Sequence, residues 1–342
     1  MTWLYDILGV PFGFVLRFFY DTIAFENYGL AIIAITIFAR LLMIPSSISQ
    51  QKGMAKTQRM QAKLRKIQTK YAGNQQKIQE ETTALYQREG VNPMGAGCAP
   101  MLVQFIPLFG LLGAIYYPLS HFLNSGEIDE SQIEALKAAV VNLESVKVSE
   151  KSIYTELYAV MNIDYIKDCV KDVVVNGEIT HSAANVIETI KGINLDFFGI
   201  ELGEIPKEHG LFIRNEAGNI TGLDLIWLVP VFSFLSSMAT GVYSMIKQKK
   251  NNNSAAPGGA LMTGCMTFGL PIFSLIWVVT LPAAIGVYWT ASSLCGFITQ
   301  IILGHFYSPK KVMAKLMVEE TIERRSKENY IKSITEVKEK KN

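Results

Sequence analysis

The hydrophobic positions of this chain are gathered in long apolar segments separated by polar stretches. A run of about twenty apolar residues is long enough to cross the hydrocarbon core of a bilayer as a helix. The last and longest run contains TLPAAIG, and Pro282 within it predicts two helices joined by a tight turn. The pattern therefore predicts five spans, over residues 28–48, 97–120, 223–246, 261–280 and 283–305.

Charge is distributed unevenly between the predicted spans. Of the 32 Lys and Arg residues, 22 lie in segments 49–96, 247–260 and 306–342, whereas segment 121–222 has 17 acidic and 8 basic residues. Because basic segments next to spans stay in the cytosol, these three segments are predicted to be cytosolic and 121–222 to be extracytoplasmic. The N-terminus is then outside and the C-terminus is in the cytosol, as five spans require.

Residues 1–27 are predicted to form an amphipathic helix at the outer interface of the membrane. At 100° per residue, Asp6, Arg17 and Asp21 project within about 60° of one another, and Pro11 is expected to kink the helix or end its first part. A sixth span and an uncleaved signal segment are the alternatives for this segment.

Segment 49–96 is predicted to be a cytosolic helical hairpin. Its apolar residues recur at helical spacing on both sides of a break at 72–74, at Met60, Leu64, Ile67, Tyr71, Ile78, Leu85 and Tyr86. An ordinary positively charged loop is the alternative interpretation.

The remaining polar segments are a small extracytoplasmic lobe, a loop and a tail. In the lobe, residues 121–222, the pattern predicts helices with caps near Asp129 and Ser149, followed by loops and short strands. Residues 247–260 are predicted to be a flexible basic loop, and residues 306–342 a basic cytosolic tail containing an exposed helix. No chemistry is assigned to the lobe.

The sequence offers little support for catalysis. Its four histidines are far apart, its four cysteines have no CxxC spacing, and no phosphate-binding or nucleophile motif is present. We therefore expect a protein that is not an enzyme and that uses neither a metal nor a cofactor.

The unusual feature is Arg40 inside the first predicted span. If the helix continues to Ile48, the guanidinium lies ~12 Å from the helix end, at a cost of at least ~2.5 kcal/mol. Thr36 lies one helical turn before Arg40 on the same face. The nearest acidic residue in a predicted span is Asp224, which lies at the opposite, outer edge of the membrane. A water-filled groove would accommodate the charge, whereas an early helix end at Pro45 would favour snorkelling to the interface.

Three stretches make the chain similar to a known family. YGLAIIAITIFARLLMIP, the segment from QKGMAKTQRM to PMLVQFIPLF, and LPAAIGVYWTASSLCGFITQ together resemble the YidC/Oxa/Alb family of membrane protein insertases, in the smaller Gram-positive form. The resemblance implies an all-α integral membrane protein whose five transmembrane helices surround a hydrophilic groove, with a cytosolic helical hairpin. The lobe of about 100 residues is longer than this form leads us to expect, and we see no lipobox cysteine near the N-terminus.

The resemblance places Arg40, Thr36, Tyr288 and Trp289 in the groove, and the polar positions of the other spans supply the remaining candidates. The groove is expected to be lined by Arg40, Thr36, Gln104, Ser237, Thr240, Tyr288, Trp289 and Gln300. Substrate capture by the hairpin is expected to involve Met54, Met60, Lys63, Arg65 and Lys66.

The expected function is insertion and folding of nascent membrane proteins in the bacterial plasma membrane, without nucleotide hydrolysis. The expected partners are nascent membrane proteins, the lipid bilayer, the ribosome through the basic tail and hairpin, and the Sec translocon, with no small-molecule substrate. Two alternatives stay open: an anion transporter or channel that uses Arg40, and a scaffold that assembles membrane proteins without inserting them.

Overall fold

The structure is a computed structural model, and it describes residues 2–88, 99–123, 126–143, 146, 152–175, 178–214, 219–251 and 268–339. Side chains within some of these helices, at 2–4, 54–59, 61–62, 99–104 and 248–251 among others, are not described. The chain divides into two compact units. The first comprises residues 1–42 and 104–297, and the second comprises residues 43–103 and 298–342.

Helices make up most of the described chain. They are α1 (Thr2–Thr22), α2 (Tyr28–Leu42), α3 (Ile44–Lys70), α4 (Gln75–Arg88), α5 (Ala99–Tyr116), α6 (Glu130–Val141), α7 (Thr155–Met161), α8 (Ile163–Ile166), α9 (Ala183–Lys191), α10 (Leu228–Asn251), α11 (Leu270–Val278), α12 (Ala283–Phe306) and α13 (Pro309–Glu339). Short helical turns lie at Pro118–Phe122, Lys167–Cys169, Pro206–Glu208 and Leu225–Trp227. The mainly helical fold expected from the sequence is therefore confirmed.

Two described helices are long and apolar enough to cross a membrane, namely Leu225–Lys247 and Ala283–Phe306. A third candidate span is the pair Tyr28–Leu42 and Ile44–Gly53, which meets the criteria only when its two helices are counted together. Phe105–Tyr116 is a shorter apolar helix. Length and composition of the described residues thus support two or three spans, and the arrangement of five remains a proposal.

The apolar segment 28–48 is not one continuous helix. Helix α2 ends at Leu42 and α3 begins at Ile44, with Pro45 in its first turn. A proline has no N–H to donate to the preceding turn and disfavours helical geometry in the residue before it, which accounts for the break at Met43. Arg40 therefore lies in the last turn of α2, not eight residues before the end of its helix.

Helix α1 packs closely against other parts of the first unit. It runs through Pro11 without ending there, and it contacts α2 and the turn Pro118–Phe122. A Cβ on Gly13 would lie 2.0 Å from the His121 carbonyl oxygen, and one on Gly9 would lie 2.4 Å from His121 Nδ1. Only glycine permits this approach, which resembles the small-residue contacts of helices in membranes.

The lobe combines short helices with three two-stranded antiparallel sheets. The strands are β1 (Val173–Val175) with β2 (Glu178–His181), β3 (Asp196–Phe197) with β4 (Ile200–Glu201), and β5 (Phe212–Arg214) with β6 (Ile220–Leu223). Helix α6 begins with a capping box, in which the Asp129 carboxylate accepts from Ser131 N and Gln132 Oε1 accepts from Asp129 N. Leu136 and Leu157, from α6 and α7, are fully buried in its interior.

Backbone hydrogen bonds attach the lobe to the ends of the apolar helices. The Ala283 and Ala284 N–H groups at the start of α12 donate to the carbonyls of Glu204 and Leu202, at 2.8 and 2.9 Å. The Tyr28 N–H at the start of α2 donates to Asn194 O at 3.0 Å. These N–H groups have no acceptor within their own helices, so the lobe satisfies donors that would otherwise need water or a side-chain cap.

The second unit contains the predicted hairpin helices and the C-terminal helix. Helices α3 and α4 are joined by a turn in which Gly73 has φ 90°, and the Tyr71 hydroxyl donates to Glu81 Oε1 at 3.2 Å across it. Helix α13 packs against α3, and most of its described side chains are exposed, as expected from the sequence. Met60 is only 2% exposed, and Val312 of α13 is also buried within this unit.

A buried carboxylate fixes the turn that follows α5. Glu156, on α7, is 3% exposed. Its carboxylate accepts from Leu119 N and Ser120 N, both at 3.0 Å, and from Ser120 Oγ at 2.6 Å. Burial raises the pKa of Glu156 above its usual range, although the hydrogen bonds from Ser120 and Leu119 oppose this.

The folded lobe holds the carboxyl proton of Glu156 more tightly than the unfolded chain does. The contribution of Glu156 to stability is therefore largest below the unfolded pKa of ~4.3 and falls as pH rises through the folded pKa. Glu156→Gln keeps an acceptor without the charge. We expect its melting temperature in detergent, relative to the native chain, to be higher at pH 7 than at pH 4. Glu156→Ala leaves three donors without an acceptor and should cost about 1–3 kcal/mol.

The matched control is Glu134→Gln, because Glu134 lies on the exposed surface of α6 and pairs with Lys137 at 2.6 Å. This variant should show little change, as is usual for surface ion pairs. A relative melting temperature of Glu156→Gln that is higher at pH 4 than at pH 7 would contradict the assigned direction of the pKa.

Candidate functional site

Arg40 points from the last turn of α2 towards α12. Its Nη2 donates a hydrogen bond to Ser292 Oγ, and the side chain is half-buried. The Tyr288 hydroxyl and the Cys295 thiol, both on α12, lie near enough to interact with the guanidinium electrostatically. The charge is therefore directed into the first unit, onto a polar strip of a neighbouring helix.

That strip follows from the spacing of residues along α12. Tyr288, Ser292 and Cys295 are separated by four and three positions, so they lie on one face of the helix. Tyr288 and Ser292 are buried, and Cys295 is half-buried. An arginine facing this strip therefore meets hydroxyl and thiol groups.

The adjacent serine of α12 connects it to α10. The hydroxyls of Ser293 and Ser237 are 3.2 Å apart, and Thr240 Oγ1 is 3.4 Å from Ser293 O. Thr240 also donates to Ser236 O in its own helix at 3.0 Å. Neighbouring serines of α12 thus face two different helices, and we call Arg40, Tyr288, Ser292, Cys295, Ser293, Ser237 and Thr240 the polar layer.

Other predicted groove residues lie beside this layer. Thr36 is buried one turn before Arg40, and its hydroxyl donates to Ile32 O at 2.6 Å in its own helix. Trp289 is half-buried, and its ring stacks edge-on against Trp277 of α11 with centroids 6.2 Å apart. The described ring contacts of Trp289 are thus with aromatic groups, Trp277 and Tyr288, and not with the hydroxyls of α10.

The structure locates the remaining predicted residues less fully. The side chain of Gln104 lies outside the described part, and Gln300 belongs to the second unit. In the hairpin, Lys63 and Arg65 are half-buried and Lys66 is exposed, while the Met54 side chain is not described. Met60 departs from the expectation of an exposed, adaptable surface, because it is buried within the second unit.

The groove residues expected from the sequence do not include Ser292, Ser293 or Cys295. The spacing of Ser292 and Cys295 from Tyr288 was the available signal, because positions four and seven residues apart share a helix face. Which of two adjacent serines faces Arg40 depends on how α12 is rotated against α2 and α10.

The layer is suited to holding charge and water inside an apolar protein. Among the residues that the structure describes, no group of three or more His, Cys, Asp or Glu side chains could hold a metal ion. The chemistry offered by the polar layer is hydrogen bonding and electrostatic attraction of anionic groups.

The mainly helical fold and its candidate spans are those of an all-α membrane protein, and the polar layer joins apolar helices of this fold. The sequence profile of the family described as 60Kd inner membrane protein matches residues 18–311. The chain therefore belongs to this family, the YidC/Oxa family, and the resemblance seen in its motifs is confirmed.

Individual relatives match over shorter segments. Membrane protein insertase YidC of Oceanobacillus iheyensis is 51% identical over 88 residues, which are 25% of this chain and 34% of the relative. Membrane protein insertase MisCA of Bacillus subtilis is 45% identical over 94 residues, 26% of this chain and 36% of the relative. YidC of Fusobacterium nucleatum is 35% identical over 115 residues, 34% of this chain and 55% of the relative. The matched segments thus span about a third to a half of these relatives.

The contact between α10 and α12 can be tested by disulfide formation. After replacement of the four native cysteines, Ser237→Cys with Ser293→Cys should cross-link readily on mild oxidation, because the hydroxyl oxygens are 3.2 Å apart. A protease site inserted in residues 252–260 makes the result visible, since only a disulfide keeps the two fragments together.

The matched control combines Ser237→Cys with Ser292→Cys, because the side chain at position 292 faces α2. We expect this pair to cross-link much more slowly. Equal rates for both pairs, or faster cross-linking of the control, would contradict the described rotation of α12.

Proposed function

We propose that this protein inserts membrane proteins into the bacterial plasma membrane and helps them fold. The observation that carries the proposal is the contact of Arg40 with Ser292, at the centre of a polar layer built from apolar helices. Membership of the 60Kd inner membrane protein family supports it, as does similarity to relatives named as membrane protein insertases.

In the proposed arrangement, five spans surround a groove that is open to the cytosol and closed on the outside. The N-terminus lies outside and the C-terminus in the cytosol, as the charge distribution favours. Hydrogen bonds from the starts of α2 and α12 to the lobe support closure of the outer end, because the lobe is held against these helix ends. Polar substrate segments would therefore enter from the cytosolic side.

We propose that water hydrates the Arg40 guanidinium. A charged side chain in an apolar region is costly unless it is hydrated or paired. A hydrated groove lined by Arg40 and by the hydroxyls of Ser292, Ser237 and Thr240 would lower the cost of bringing a polar peptide segment into the membrane.

The driving force would come from the substrate. Acidic residues in the short translocated segment are attracted to Arg40, and the following apolar helix then moves sideways into lipid. Burial of apolar surface supplies ~0.8 kcal/mol per CH₂, so a span of ordinary composition provides ample free energy without nucleotide hydrolysis.

We further propose that the second unit receives substrates before insertion. Lys66 is exposed on α3, and Lys63 and Arg65 are partly exposed, so this helix offers a basic surface to acidic or amphipathic segments. Ribosome binding through α3, α4 and α13, and cooperation with the Sec translocon, are proposed partner interactions. Met60 is excluded from the contact surface, because it is buried.

The charge of Arg40 can be tested with purified protein in liposomes and substrates of matched length. Arg40→Ala should slow insertion of a substrate with an acidic translocated segment by about fivefold. This corresponds to the ~1 kcal/mol attraction of two charges 4 Å apart in water-like surroundings. Insertion is measured as protease protection of the translocated segment.

Two controls separate charge from folding. Arg40→Lys should retain most of the activity, and substrates with uncharged translocated segments should insert at nearly the native rate in every variant. An equal loss for acidic and uncharged substrates would contradict the electrostatic role. Anion flux through empty proteoliposomes that is lost in Arg40→Ala would favour a channel or transporter, and binding of substrates without protease protection would favour a scaffold.

A further inference from the structure

Large apolar side chains are exposed on the lobe close to where it joins the apolar helices. Phe198, in the turn between β3 and β4, is 79% exposed, and Phe25, in the turn between α1 and α2, is 88% exposed. The β5–β6 hairpin adds Phe212, Ile213, Ile220 and Leu223, each 42–61% exposed. We call Phe25, Phe198, Phe212, Ile213, Ile220 and Leu223 the apolar rim.

The Phe25 and Phe198 turns both lie near the starts of apolar helices. Asn27 Nδ2 donates to Asp196 O at 2.7 Å, which joins the turn before α2 to strand β3. A Cβ on Gly199 would lie 3.7 Å from Leu225 Cδ1, so the β3–β4 turn also approaches the first residue of the apolar segment Leu225–Lys247. Both phenylalanines therefore lie beside the starts of candidate spans.

The β5–β6 hairpin is tied to the beginning of a candidate span by chain connectivity. Leu223 ends β6 and is two residues from Leu225, so at most ~7 Å of chain separates the hairpin from the apolar helix. Asp224 between them donates its N–H to Leu211 O at 3.2 Å and accepts from Ile226 N at 3.1 Å. This short, hydrogen-bonded connection keeps the hairpin at the end of the helix.

Backbone conformation adds an independent observation. Phe25 and Phe198 have φ values of 51° and 56°, in the left-handed region that bulky residues seldom occupy. Such conformations cost of order 1–3 kcal/mol and persist where the surroundings determine them. In water, an exposed phenylalanine stabilises such a turn no more than asparagine or glycine would. In lipid, the free energy of burying the phenylalanine ring would offset the cost of the backbone conformation.

We propose that the apolar rim is embedded in the membrane interface on the side where the lobe lies, so that lipid covers it. The partner is the bilayer, because the rim is continuous with helices that are themselves apolar enough to span it. Aromatic rings favour the headgroup level, and the unpaired edges of a two-stranded sheet exclude it from the hydrocarbon core. The rim therefore lies at the boundary between headgroups and acyl chains and fixes the depth and tilt of the lobe.

The proposal can be tested by spin-label accessibility with the full chain in liposomes of phosphatidylethanolamine and phosphatidylglycerol. In a cysteine-free background, labels are placed singly by Phe198→Cys and Phe212→Cys. Glu134→Cys on the exposed face of α6 provides a water-facing reference. Ile276→Cys on apolar α11, at a position 62% exposed in the protein, provides a lipid-facing reference. Collision rates with oxygen, which concentrates in lipid, and with a water-soluble nickel chelate are compared.

We expect both rim labels to collide with oxygen several-fold more often, relative to nickel, than the Glu134 label does. Labels as accessible to nickel as the Glu134 label would overturn the proposal, since the rim would then be in water. Labels shielded from both reagents would also overturn it, because protein would cover the rim, either a partner or a second copy of the chain. The same measurement in the Arg40→Ala variant separates the rim from the proposed function, because this variant is expected to insert substrates more slowly while the rim labels keep their accessibility.

Discussion

The structure depends on one constraint, that a guanidinium placed among apolar helices must contact polar groups. Arg40 meets it by turning towards Ser292 on α12, and the spacing of Tyr288, Ser292 and Cys295 extends a polar strip along that helix. Because the neighbouring Ser293 faces Ser237 on α10, hydrogen-bonding groups join three helices that are otherwise apolar. A protein that only needed to pack helices would gain more from aliphatic side chains here, since a buried charge costs more than packing repays. The proposed entry of polar chain into the membrane therefore depends on the polar layer.

The lobe contributes in a different way, through backbone hydrogen bonds. It satisfies N–H groups at the starts of α2 and α12, so the ends of these helices are fixed by a folded domain. Buried Glu156 orders the turn after α5, and the glycines of α1 allow that helix to approach the same turn. In the proposed function, helix ends fixed by the lobe and a polar layer complement each other, because an insertase must admit polar segments without opening a continuous path across the bilayer.

Sequence patterns anticipated the parts of this fold that depend on local composition. Hydropathy found the apolar segments, and the helical spacing of apolar residues on both sides of the break at 72–74 indicated two helices between residues 49 and 88. The motif around Arg40 pointed to the family that the profile match confirms. The sequence did not specify what depends on packing between distant residues. Helix rotation decided that Ser292 faces Arg40, tertiary contacts buried Met60 and brought α13 onto α3, and Pro45 divided a segment whose hydropathy is continuous.

The most direct test of a hydrated polar layer uses the native thiol beside Arg40. In a chain that keeps only Cys295, a membrane-impermeant anionic thiosulfonate should modify the thiol in sealed liposomes, and Arg40→Ala should slow this reaction more than reaction with an uncharged reagent. A cysteine at the lipid-facing position 276 in place of Cys295 should stay unmodified by the anionic reagent. If Cys295 resists the anionic reagent as completely as position 276 does, the layer is dry, and the proposed route for polar segments is contradicted.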